Sequence, residues 1–154
     1  LLSLEAIARK NGSGISADSL IGVWGFNSVW EKGKDHKDFI SSSILRWISA
    51  KLEIRSESKV QEVLPIKIIN SVSLGALRLQ FEGQAEIKGD QPLLVFFFNT
   101  LILKFGPKNI LSRPIASVDE NKRPFFALIG IDSKGLWLAA RGRGGGLALW
   151  LKNL

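Results

Sequence analysis

Residues 77–88 constrain the fold more than any other part of the chain, because apolar and polar residues alternate along their whole length. A period of two residues is that of a β-strand, and it gives this segment one apolar and one polar face. Such a strand is typical of antiparallel sheets, since parallel sheets are usually covered on both faces. The predicted apolar face consists of Leu77, Leu79, Phe81, Gly83, Ala85 and Ile87.

The rest of the chain after residue 20 also favours strands, with no long helix between them. A short amphipathic helix is predicted first, because Leu1, Leu4 and Ile7 have helical spacing and Asn11-Gly12 ends the pattern. Residues 1–14 would form this helix and a link to one domain, so that residues 1–154 make a single unit. We expect an antiparallel barrel or sandwich of about eight or nine strands. The predicted strands lie at residues 20–30, within 43–57, and at 60–72, 77–88, 93–105, 125–131, 136–140 and 147–151.

Two segments do not have the alternating pattern of a strand with one apolar face. Residues 93–105 are apolar on both faces, so we expect the N-terminal helix or a lipid surface to cover the second face. Residues 112–123 contain Pro114 and a series of polar residues, and they are predicted to form a long loop of the kind that can act as a lid.

The stretch Arg141-Gly142-Arg143-Gly144-Gly145-Gly146 has two interpretations. As part of a tail it would be a basic RNA-binding segment, and as a turn it would connect the last two strands. Disordered basic tails usually lack large aliphatic residues, whereas apolar segments flank this stretch on both sides. The pattern therefore favours a turn in which glycine supplies positive φ angles.

Composition narrows the function classes. A net charge of +7 indicates an anionic partner, either nucleic acid or a surface of acidic lipid, although the basic residues form no block. The absence of cysteine excludes disulfides, thiolate catalysis and Cys-ligated metals. The longest apolar run is shorter than the roughly 20 residues of a spanning helix, so no transmembrane helix is predicted, and no secretory signal is recognised.

Several short elements resemble the plastid-lipid-associated proteins, or fibrillins, of chloroplasts and cyanobacteria, which are lipocalin-like. Residues 20–26 (Leu-Ile-Gly-Val-Trp-Gly-Phe) resemble the first strand of that family, and residues 68–72 (Ile-Ile-Asn-Ser-Val) resemble its middle element. Asp132, then Arg141-Gly142 and the apolar last strand, resemble its closing segment. The chain departs from the family pattern at residues 133–135, which are not acidic, at Leu138, which replaces an Arg, and in having no Tyr.

The resemblance implies a lipocalin-like β-barrel that binds a lipid, quinone or pigment, without enzymatic activity or cofactor. It also implies a location in the cytoplasm or at the periphery of a thylakoid membrane or lipid globule, or in a plastid. A barrel of eight strands is just wide enough to hold one small ligand. The candidate ligand-binding residues are Trp24, Phe26, Trp47 and Phe81 for apolar walls, and Arg141 and Arg143 for a headgroup or carboxylate.

Other roles for these residues remain open at this point. The aromatic residues could be plain core, and the two arginines could be solvated or could pair with Asp132. A lipocalin-like lyase that attaches bilins to antenna proteins is an enzymatic alternative, with the arginines holding the bilin propionates. Nucleic-acid binding ranks last and is not expected. No catalytic or metal site is predicted, because His36 lies alone in a charged loop and no carboxylates are paired by their spacing.

Overall fold

The fold was analysed in a computed structural model, which describes residues 1–30, 50–57 and 66–153. Two helices precede the sheet: α1 at Leu2–Asn11 and the single turn α2 at Ala17–Leu20. Helix α1 ends at Gly12, whose φ of 77° is one that residues with a side chain rarely adopt. No helix in these three ranges is long and apolar enough to span a bilayer.

Nine strands form one antiparallel sheet in the described ranges. A 3-10 turn at Glu120–Lys122 lies between β6 and β7. The strands are β1 (Gly22–Trp30), β2 (Lys51–Ser56), β3 (Ile66–Leu74), β4 (Leu77–Lys88), β5 (Leu93–Phe105), β6 (Lys108–Pro114), β7 (Phe125–Ile131), β8 (Trp137–Gly142) and β9 (Leu147–Lys152).

The sheet closes on itself. Strands β1 to β5 pair in sequence, β5 pairs with β7, and β7, β8 and β9 lead back to β1, so eight strands form a ring. Strand β6 lies outside the ring and pairs with the second half of β5. The predicted mainly β, antiparallel fold with a short N-terminal helix is confirmed, and the arrangement is barrel-like.

Alternate residues of the strands fill the inside of the ring. The largest buried side chains there include Trp24, Ile54, Ile68, Leu94 and Leu138. Ile15 and Leu20, from the segment between α1 and β1, join this core and cover the end of the ring at which β1 begins. The inside of the ring is therefore mostly filled with side chains at this end.

At that opposite end the sheet continues past the ring. Residues 72–74 of β3 have no partner in β2, yet they pair with β4, which pairs with β5 and through it with β6. We call this four-stranded part, residues 72–81 and 101–114, the extension. Its two turns contain Gly75 and Gly106, both with positive φ.

A β-bulge at Asn99 marks the point where β5 changes partner. Before it, β5 pairs with β7, and after it, with β6. The extra residue shifts the alternation by one position, so Phe96 and Phe98 face the same side as Leu101 and Leu103. This explains why apolar residues occupy both odd and even positions of residues 93–105. The apolar residues at odd positions after the bulge lie on the same face as those at even positions before it.

Most predicted elements are confirmed, including α1, the alternating strand 77–88 and the closing turn between β8 and β9. The predicted loop at residues 112–123 begins three residues later than expected, because residues 112–114 belong to β6, a strand exposed at every position. The N-terminal helix, one of the two predicted covers of β5, packs mainly on β7 and borders β5 at Leu93. The predictions for residues 31–49, including the charged loop and Trp47, and for 58–65 lie outside the described residues.

Gly83 provides a test of this register. It lies in β4 opposite Phe98, and a Cβ at this position would overlap the carbonyl of Phe97 on the neighbouring strand. We expect Gly83→Ala to lower the free energy of unfolding by about 2 kcal/mol or more, measured by urea denaturation. Gly144→Ala is the control, because nothing lies within 4 Å of its added Cβ. Equal stability of the two variants would contradict the register.

Candidate functional site

An open recess lies at the end of the ring from which the extension projects. Its volume is about 160 Å³. Phe126 and Trp150 form one wall, with ring centroids 5.3 Å apart, and Phe26 pairs with Trp150 across β1 and β9. The lining residues are Phe26, Ala50, Lys51, Leu52, Asn70, Val72, Phe126 and Trp150.

A row of aromatic rings runs from this recess to the base of the extension. Phe126 contacts Phe96 at 5.0 Å between centroids, Phe96 contacts Phe98 at 5.5 Å, and Phe98 contacts Phe81 at 5.6 Å. Tilted ring pairs at these separations are favourable beyond the area that they bury. The row therefore forms a continuous, firmly packed apolar floor between the recess and the extension.

The inner face of the extension continues the same apolar surface. Cross-strand partners point to one side of a sheet, and the register aligns Val72 with Leu79, Leu103 and Leu111. The next row towards the tip holds Leu74, Leu77 and Phe105, which are 52%, 42% and 57% exposed. Val72 belongs both to this surface and to the lining of the recess.

Polar groups that face into the recess are few. Lys51 borders it at the start of β2, but it pairs with Gly25 and Ser71, so its exposed side chain lies on the outer face of the sheet. Asn70 in β3 pairs with Leu52 and Phe81 and lies on the inner face. The recess is therefore an apolar space with one amide at its margin, which is the usual composition of a site for a mostly apolar ligand.

Arg141 occupies a different place, on the outer face of β8. Its guanidinium donates two hydrogen bonds to the carboxylate of Glu5 in α1, one of them 2.5 Å long, and another to the carbonyl of Gly145. Glu5 is buried and Arg141 is partly buried, and Arg9 donates to the same carboxylate at 2.8 Å. The hydrogen bond from Arg141 lowers the pKa of Glu5, and the same bond raises the pKa of Arg141. This ion pair fastens α1 to the sheet.

Two clefts flank α1 on the outer face. One of about 330 Å³ contains the Glu5–Arg141 pair and is bordered by Gln91 and Leu93. The other, of about 360 Å³, lies between Ile7 and Trp137. Both exceed the recess in volume, but the polar groups of the first are paired with one another, so it offers a ligand no unpaired charge.

The structure separates the six predicted ligand residues. Phe26 lines the recess, and Phe81 lies on the same face at the far end of the aromatic row. Trp24 is fully buried in the core, where its indole donates to the carbonyl of Leu20, and Lys152 lies 5.2 Å from its ring. Trp47 lies outside the described residues.

The two arginines are not brought together. The alternative that Arg141 pairs with Asp132 was wrong, since its partner is Glu5. Arg143 lies in the turn between β8 and β9 and donates to the carbonyl of Arg123 at 2.9 Å. Four other residues that line the recess were not predicted as ligand residues, although each lies in a predicted strand at a position that faces inward: Asn70, Val72, Phe126 and Trp150.

No group of three or more His, Cys, Asp or Glu residues that could hold a metal is found in the described part of the chain. Comparison of the chain with models of known protein families gives no match, and comparison with curated proteins gives none either.

The Glu5–Arg141 pair predicts a stability that depends on pH. Because the pKa of Glu5 is lower in the folded protein, the pair stabilises the fold above the unfolded pKa of about 4.3 and loses its effect as the pH falls through the folded pKa. At pH 7 we expect Glu5→Gln to lower the free energy of unfolding by about 1–3 kcal/mol.

The difference in free energy of unfolding between the wild-type chain and Glu5→Gln should shrink below about pH 4, as measured by urea denaturation at a series of pH values. Glu86→Gln is the control, because Glu86 forms an exposed pair with Lys88 and should change the free energy by less than about 0.5 kcal/mol. A Glu5→Gln effect that persists unchanged at low pH would contradict the role given to the ion pair.

Proposed function

We propose that this protein is a non-enzymatic binding or carrier protein for a hydrophobic small molecule, held in the recess and on the inner face of the extension. The observation that carries the proposal is the continuity of one apolar surface from the recess, through Val72, to the exposed tip residues Leu77 and Phe105. A folded chain ordinarily buries such a surface, so its exposure beside an open recess favours a ligand-binding role.

The volume of the recess limits how the ligand binds. About 160 Å³ is enough for one ring or a short alkyl segment, whereas sites for whole drug-sized ligands measure about 300–1,000 Å³. The ligand would therefore insert one end beside Trp150 and Phe126 and lay the remainder along Leu79 and Leu103. A long, narrow molecule with a polar group fits this arrangement best, such as a fatty acid, a quinone or an isoprenoid pigment.

Asn70 would contact the polar group of the ligand. Its side-chain amide can donate a hydrogen bond to a carboxylate or to a neutral carbonyl. The resemblance to fibrillins adds the quinones and pigments of photosynthetic membranes to the candidates. The bilin-lyase alternative loses one of the two arginines on which it depended, since Glu5 and Gly145 already engage Arg141.

Filling the recess should weaken ligand binding. We expect Val72→Trp to weaken binding of a fluorescent polyene fatty acid by about tenfold or more, because the larger side chain occupies the recess. Ser73→Trp is the matched control, since Ser73 is the next residue of β3 and faces the opposite side of the sheet. Binding is measured by titrating the probe in vesicle-free buffer, and equal affinities of the two variants would overturn the proposal.

Asn70→Leu tests the contact with the polar end of the ligand. If the Asn70 amide donates to this end, the variant should weaken binding of the fatty acid and of a neutral alkyl benzoquinone by about fivefold each. Ser71→Leu is the matched control, since Ser71 is the next residue of β3 and faces the opposite side of the sheet. Unchanged affinity of the Asn70 variant for both probes would contradict the assignment of Asn70 to the polar end.

A further inference from the structure

We infer that the tip of the extension docks on a bilayer surface that contains anionic lipid. This inference deepens the proposed function by naming the partner from which the recess would take its ligand. It depends on two observations in the same part of the sheet: exposed apolar side chains and a single sign of charge.

The first observation is the concentration of exposed apolar side chains. Leu74, Leu77 and Phe105 lie in one cross-strand row at the tip, and Leu111 lies in the adjacent row of β6. Ile110, in a bulge of β6, is 59% exposed. These five large side chains lie beside the two turns at the tip and on the adjoining part of β6, so an apolar phase could cover them together.

The second observation is the charge of the extension. It contains Arg78, Lys104, Lys108 and Arg113 and no acidic residue. Lys108 and Arg113 lie on the outer strand β6, in register with the apolar rows, while Arg78 and Lys104 share the opposite face. Basic side chains around an apolar centre suit a surface whose headgroups are anionic and whose interior is apolar, since long basic side chains can keep their charges at the headgroups.

The same charges argue against a second copy of this chain as the occupant. In a symmetric dimer through the apolar face each patch meets itself, so Lys108 and Arg113 of one copy would face the same two cations of the other, and the extension contains no acidic residue to separate them. Edge pairing through β6 is also disfavoured, because Lys108, Arg113 and Pro114 are typical of protected edge strands.

Position also links this surface to the recess. Val72 and Leu79 connect the exposed row at the tip with the lining beside Trp150. A ligand that leaves the bilayer at the tip would therefore reach the recess along an apolar path without crossing water.

The absence of cysteine allows a direct test. We compare Leu77→Cys with Leu136→Cys, because these leucines are 42% and 43% exposed and Leu136 precedes β8 at the other end of the ring. Each variant carries a polarity-sensitive dye on its single thiol and is mixed with phosphatidylcholine vesicles with and without phosphatidylglycerol. We expect a blue shift only for the dye at position 77, and only with the anionic vesicles.

Binding is then measured by vesicle sedimentation. Leu77→Ser/Phe105→Ser and Lys108→Glu/Arg113→Glu should each lower the affinity for anionic vesicles by about tenfold or more. The controls Leu136→Ser/Leu151→Ser and Lys10→Glu/Lys134→Glu should change it by less than about threefold. Thermal unfolding of each variant checks that the fold is kept.

Three outcomes would overturn the inference: no binding of the wild-type chain to either vesicle, unchanged binding by the tip variants, or a loss of self-association as their main effect. The last result would assign the tip to a second copy. None of them bears on the soluble-probe titration of Val72→Trp, so docking and ligand binding can fail separately.

Discussion

The pairing of β4 with β5 is the constraint on which the rest of the structure depends. These two strands pair along nearly their whole length, whereas their other neighbours, β3, β6 and β7, pair with only part of it. The first half of β5 closes the ring through β7, and the bulge at Asn99 then directs the second half to β6. One hairpin therefore provides both the wall of a filled ring and an apolar surface that projects beyond it.

This arrangement separates stability from function in space. The core around Trp24 and Leu138 occupies the end of the ring that Ile15 and Leu20 cover, so that end is closed. At the other end several apolar residues beyond Val72 are exposed, among them Leu74, Leu77 and Phe105. The Glu5–Arg141 pair belongs to the outer face, where it fastens α1, and it therefore contributes to stability and not to the recess. Like other buried ion pairs, it matters most when one partner is removed.

Much of the fold could be predicted from the sequence, because it is encoded in local patterns. Alternation over residues 77–88 identified a strand with one buried face, and the glycines at 142–146 indicated the closing turn. Strand β6 was missed because every one of its residues is exposed and its alternation is weak. The bulge at Asn99 was missed because it depends on a change of partner between β7 and β6, which is a property of the folded sheet.

The candidate site was harder to predict for the same reason. Phe26 was identified, but the residues that surround it come from β2, β3, β7 and β9, and only the register of the closed ring brings them together. From the sequence alone Trp24 and Trp150 are equally good candidates for a ligand contact. In the structure Trp24 lies at the covered end of the ring and Trp150 at the open end. Arg141 was assigned to a ligand because of its charge, while its partner Glu5 lies 136 positions away in the chain.

The most direct test of the account is to follow the indole N–H signals of the five tryptophans by NMR while a soluble hydrophobic probe is added. Trp150 lines the recess, Trp24 is enclosed in the core, and Trp137 borders the cleft beside α1. We predict that the Trp150 signal shifts in proportion to the bound fraction, while the signals of Trp24 and Trp137 keep their positions. A shift of Trp137 with Trp150 unchanged would place the ligand on the outer face and contradict the account.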